Sequence, residues 1–230
     1  MRRVIAATIA AALTLPALAF SLPKSTTSYL LGPRMIRAEV ALRTKDAVTH
    51  DFWLDRGRLA KRYSGGVLVM AERDGTKPSV KTASSARVIL NGRPSNLRAL
   101  RAGMQVVVSH DRDLPADSVY AATKTPPKLP SSVATFLLGP RMMRAEIPLV
   151  SVDAVMHDFR LDQGRLRQLT PTSLVVHEAD GTNVPIGVSA SVRVKLNGQA
   201  ASYTQLKRGM IAMVIRDGDK PADQIFATGK

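Results

Sequence analysis

Short apolar runs alternate with polar ones along this chain, and Gly, Asn-Gly and Asp-Gly punctuate them. Ile36–Leu42 partly alternates. In the next run Val48, His50, Phe52 and Leu54 share one face, because successive strand side chains point to opposite sides. Val67–Met70 is short and apolar, and Asp74-Gly75 after it signals a hairpin. Val88–Leu90 ends at Asn91-Gly92, and Leu97 and Leu100 are spaced for one helical turn before Gly103. Met104–Val108 and Ser118–Ala122 complete the set. The pattern predicts about six short strands, with one helical turn between the fourth and fifth. Sheets of this size with turns about every ten residues close into a small barrel or sandwich.

The pattern occurs twice. Tyr29-Leu30-Leu31-Gly32-Pro33-Arg34-Met35 returns as Phe136-Leu137-Leu138-Gly139-Pro140-Arg141-Met142, and His50-Asp51-Phe52 as His157-Asp158-Phe159, both 107 positions on. Asp74-Gly75-Thr76 returns as Asp180-Gly181-Thr182 and Asn91-Gly92 as Asn197-Gly198, 106 positions on. Residues 29–59 and 136–166 agree at 21 of 31 positions, which chance does not produce. The chain therefore reads as two copies of one unit, 29–124 and 136–230. Pro- and Ser-rich residues 125–135 are expected to be an extended linker between them. Each copy falls within the usual domain range of about 50–250 residues. The expected fold class is all-β, with two tandem small barrel-like domains.

The later part of each copy resembles a small secreted bacterial β-barrel domain of unknown function. The matching segments are Leu68–Gly75, Val88–Gly92, Leu97–Gly103 and Met104–Val108 in copy one. In copy two they are Leu174–Gly181, Val194–Gly198 and Leu206–Gly209, with Tyr203 in place of the first leucine. The resemblance implies a fold and carries no activity and no functional residues.

The N-terminus reads as an address. Met1-Arg2-Arg3 is basic, Val4–Leu18 is apolar, and Ala17-Leu18-Ala19 has the small-x-small pattern of a signal-peptidase site. A membrane-spanning helix needs about 20 apolar residues, more than this run supplies. Residues 1–19 are thus expected to be a cleaved signal peptide, with 20–28 a short N-terminal segment. The protein is expected to be exported, periplasmic or extracellular, with no transmembrane segment after cleavage.

Composition narrows the chemistry. With 45% hydrophobic and 22% charged residues, bulk disorder is excluded. The absence of cysteine excludes disulfides, thiolate metal sites and cysteine nucleophiles. A net charge of +15 favours acidic partners, while 4% aromatics argues against a base-stacking platform. Trp53 becomes Arg160 in copy two and Tyr63 has no aromatic counterpart, which further disfavours nucleic acid.

All nine acids of copy one have an acidic counterpart in copy two, whereas only six of its 17 basic residues recur as basic. The acids read in two ways. They cap turns and strand ends, or Asp111, Asp113 and Asp117, with Asp217, Asp219 and Asp223, form a calcium site in each copy. The remaining basic charge is surface that drifted or that one copy specialised. Among the recurring basic pairs, Arg34 and Arg141 follow a Gly-Pro bend that shapes a strand entry or presents them to a carboxylate or phosphate. Arg37 with Arg144 and Arg58 with Arg165 join them as candidate ligand contacts.

His50-Asp51 invites a catalytic reading, but strand neighbours point to opposite faces. A half-buried histidine with one backbone partner is expected instead. The chain has no Gly-x-Ser-x-Gly elbow, phosphate loop or His-Glu-x-x-His. The expectation is a protein without catalysis or cofactor that binds an acidic envelope or extracellular polymer. The alternative is a structural or assembly protein of the envelope with a protein partner.

Overall fold

The computed structural model describes residues 22–229, so the expected signal peptide lies outside the described residues. Elements run α1 (Lys24–Leu30), β1 (Arg37–Arg43), β2 (Thr49–Arg62), β3 (Val67–Ala71), β4 (Ser79–Leu90), β5 (Arg93–Ser95), β6 (Gln105–Asp111) and β7 (Ala116–Ala122). The order then recurs as α2 (Ser131–Leu137), β8 (Met142–Val150), β9 (Met156–Leu169), β10 (Ser173–His177), β11 (Asn183–Leu196), β12 (Gln199–Ala201), β13 (Ile211–Asp217) and β14 (Ala222–Thr228). Among the described residues the fold is all-β apart from α1, α2 and two 3-10 turns.

Strand pairing closes a barrel. β2 pairs β3, β3 pairs β4, β4 runs parallel to β7, β7 pairs β6, and β6 returns to β2. Strands β9, β10, β11, β14 and β13 pair in the same cyclic order. Long strands make closure possible by changing partners along their length. β4 pairs β3 through Ser79–Lys81 and β7 through Arg87–Leu90, with a register shift between Thr82 and Arg87. The apolar pattern marks only its last three residues, because Ala83–Ser85 has no alternation where the strand crosses over. That pattern also misses the three-residue β5, which follows the Asn91-Gly92 turn directly. Both turn residues there have positive φ, 51° and 80°, as a two-residue hairpin of this hand requires. The expected helical turn is present at Leu97–Ala99, where Asn96 Oδ1 accepts the Ala99 N–H at 3.2 Å.

The end of the expected linker is not extended, because Ser131–Leu137 is helix α2. It matches α1 at the same 107-residue offset, and Leu22-Pro23 recurs as Leu129-Pro130 ahead of it. Seven-residue helices are marginal alone and owe their order to packing. Leu30, Leu31, Leu137 and Leu138 are all buried in one core. Gly32 and Gly139 follow the helices because no side chain fits there. A Cβ on them would lie 2.2 Å from the Ser28 carbonyl oxygen and 2.1 Å from that of Thr135.

The two copies meet strand to strand. β1 pairs β8 antiparallel, with Glu39 opposite Glu146 and Val40 opposite Ala145. The pairing extends past the strand ends, where Arg43 N–H donates to the Arg141 carbonyl at 3.0 Å and Val150 N–H donates to that of Arg34 at 3.1 Å. Beneath it one core joins Met35, Leu42 and Leu54 of copy one to Ile147, Leu149 and Leu161 of copy two. The helices reach across, so that Tyr29 packs edge-on against Phe159 at 5.8 Å and Phe136 against Phe52 at 5.2 Å. Separate apolar clusters fill each barrel interior.

Candidate anion-binding site

Most of the repeated arginines serve the fold. Arg37 projects from β1 to the turn after β3, where its Nη2 lies 2.8 Å from Glu72 Oε2 and also meets Asp74. Arg144 repeats this with Glu178 and, at 2.8 Å, Asp180. The glutamate side chains are 1% and 0% exposed, so each carboxylate when ionised relies on its arginine to offset lost hydration. Burial still pushes the Glu178 carboxyl up to about 7, against the pull of Arg144. Arg37 and Arg144, expected as ligand contacts, are both engaged by carboxylates of the same chain. Arg165 donates to the Gly209 carbonyl at 2.8 Å. Arg34 and Arg141 hold the joint between copies through their backbone carbonyls. Their side chains have no ion pair among the described residues.

The expected calcium ligands do not converge. The Asp111 carboxylate lies 2.6 Å from His50 Nδ1, while the Asp113 side chain is 94% exposed beside Arg112. Asp117 is exposed on β7. In copy two, Asp217 meets His157 at 3.0 Å and Lys220 at 2.7 Å, Asp219 meets Arg160 at 2.7 Å, and Asp223 faces Arg193 at 3.7 Å. Among the described residues no three His, Asp or Glu side chains gather as a metal would require.

The histidine expectation also changes. His50 and His157 are half-buried, but each is partnered by an aspartate from the neighbouring strand rather than by backbone. Val48 and Val155, expected on their face, lie before the strands and are 48% exposed. His110 on β6 joins Asp55 at 2.9 Å, and its place is taken in copy two by Arg216 against Asp162 at 3.4 Å. Burial opposes charge on His110, yet the bonds to Asp55 and the Arg112 carbonyl raise its pKa.

The arginines available for a ligand are mostly those that copy two lacks. Arg56 and Arg58 on β2 and Arg73 after β3 line one cleft of about 540 Å³, floored by Gly57 and Ala71 and edged by Gln105. Arg58 and Arg73 are exposed, and neither has an ion pair among the described residues. Arg56 is 5% exposed. Its Nη1 donates to the Pro127 carbonyl at 3.1 Å and its Nη2 to that of Leu31 at 3.3 Å, while its Nε has no partner. Burial, with like charge from Arg73, pulls its pKa down to about 10, so it stays cationic at neutral pH. The cleft's acid, Glu72, is already held by Arg37. Copy two carries Gln163 and Ala179 where copy one has Arg56 and Arg73. Recurrence between copies hides Arg56 and Arg73, although their loss in copy two is itself the signal in the sequence.

No family model and no curated protein matches the chain. Among solved structures, a deletion mutant of the single-stranded DNA-binding protein from Thermus aquaticus aligns over 85% of this chain and 92% of its own. The identity is 12% and the TM-score 0.19. No helix among the described residues is long and apolar enough to cross a membrane.

Proposed function

We propose that this protein is an exported, non-catalytic module of two tandem barrels that binds an acidic polymer through copy one. The observation that carries this is the cleft of Arg56, Arg58 and Arg73, three cations whose one neighbouring acid is already neutralised. Guanidinium forks suit carboxylate and phosphate groups, and two exposed arginines beside a buried one offer successive contacts to a repeating anion. Without Arg2 and Arg3 of the leader, 31 basic residues face 18 acidic ones, and the resulting net charge of +13 adds long-range attraction. Titration with heparin at low and high salt tests the reading. Binding should weaken steeply with salt, and the double variant Arg58→Ala, Arg73→Ala should lose about ten-fold in affinity, the worth of one or two charge-assisted bonds. Salt-insensitive binding, or none, overturns it. Export is tested separately by intact mass of the secreted protein, which should begin at Phe20. A mass retaining Met1 overturns it.

A second reading, an assembly role with a protein partner, has one observation in its favour. The turn between β8 and β9 exposes Val152 at 80% and Val155 at 48%, and the first residue of β9, Met156, is 49% exposed. Copy one has Lys45 and Thr49 where copy two has Val152 and Met156. A salt-insensitive complex lost on Val152→Lys would favour this reading over the polymer.

A further inference from the structure

A second cavity, of about 470 Å³, lies between α1 and α2 and under the chain that leads into α2. Leu22, Leu31, Leu129 and Ala134 give it apolar walls. Lys24 and Lys128 line it too, and no acidic residue does. Arg56 stands in its wall, shared with the cleft described above.

Arg56 is the anomaly. A buried charge is normally paired, because removing it from water is costly without a counter-ion. Here an arginine that is 5% exposed has two carbonyl partners, an unpartnered Nε–H, and no carboxylate in any ion pair with it among the described residues. The two carbonyls take two of the five N–H donors of the arginine, and no protein group takes its Nε–H. The same position in copy two is Gln163, which reaches the Pro140 carbonyl at 3.1 Å, so the fold does not need a cation here. A cavity within the usual range of about 300–1,000 Å³, mostly apolar and with one convergent charge, has the form of a small-molecule site.

We propose that this cavity binds one single-chain amphiphile with a carboxylate head, the head on Arg56 and the alkyl chain between α1 and α2. Apolar walls exclude a fully polar anion as the preferred ligand, and the uncompensated guanidinium excludes a neutral lipid. The two lysines add attraction for the same sign of charge.

Calorimetric titration of the protein with laurate, lauryl alcohol and acetate tests this. Laurate should bind one per chain, with the alcohol and acetate at least about ten-fold weaker, since each lacks either the charged bond or the chain. Arg56→Gln borrows the residue copy two already carries, so it should fold with an unchanged or raised unfolding midpoint and lose laurate by about ten-fold or more. Ser28→Trp, at an exposed position lining the cavity, should block laurate by filling the space. Equal binding of laurate and lauryl alcohol, retention of laurate by Arg56→Gln, or no laurate binding by the unsubstituted protein each overturns the proposal. Binding to anionic phosphatidylglycerol vesicles without binding free laurate also overturns it, and points to a membrane surface instead. Heparin binding through Arg58 and Arg73 should survive Ser28→Trp, so failure of this inference and failure of the polymer reading are seen separately.

Discussion

Glu39 stands directly opposite Glu146, its own counterpart in the second copy, in the antiparallel pairing of β1 with β8. A residue paired with its own equivalent marks a local two-fold relation, the arrangement that identical subunits use in an isologous dimer. The copies are therefore joined within one chain as a symmetric pair would be joined between chains. The same relation places two carboxylates side by side, with Arg160 at 3.8 Å from Glu146 as partial compensation. Burial and the charge of Glu146 raise the Glu39 pKa.

Like charges facing each other across strands are destabilising by about 0.2–1 kcal/mol. Glu39→Gln is expected to raise stability by that amount at pH 7. Chemical denaturation of the variant beside the parent protein measures it, and the gain should vanish in acid, where Glu39 is protonated in both states.

The Gly-Pro bends are steric requirements. Gly139→Ala would press its Cβ on the Thr135 carbonyl, a backbone group that cannot swing aside. A loss of about 1–3 kcal/mol is expected, as for other forced overpacking. Gly75→Ala offers a comparison, since nothing lies near a Cβ there and its cost would come from a φ of +89° alone. Urea unfolding of both variants separates the two effects.

Glu178 makes stability depend on pH in a defined direction. Its folded value is about 7 against an ordinary 4.5, so the unfolded chain releases the proton first. Stability attributable to this group falls as pH rises from about 4.5 to about 7 and is level above that. Glu178→Gln should lack that slope, which melting midpoints across the range will show. An identical slope in the variant rules this group out as its source.

Calcium should leave the melting midpoint unchanged, because the paired aspartates are dispersed onto His50, His157, Lys220 and Arg160. A ligand that binds only the folded state raises the midpoint by mass action, so any calcium-dependent rise would show a site that forms in solution.

By itself the sequence determined the all-β class, the Asn-Gly and Asp-Gly hairpins and the turn at Leu97, because these depend on local periodicity and on backbone angles that few residues adopt. It also showed the doubling at 107 and 106 positions. Only the tertiary structure decided how the copies meet. Nothing in Arg37–Arg43 announces that its open edge pairs with β8, since that choice depends on Met35, Leu42, Ile147 and Leu149 closing one core. Helices α1 and α2 were hidden for the same reason, their Ser- and Thr-rich turns having no pattern until Leu30 and Leu137 find that core. The fate of each charged residue was equally non-local. Arg37 and Arg56 look alike in the chain, but β1 carries one to a buried glutamate and β2 leaves the other without a carboxylate partner, and only contact in space distinguishes them.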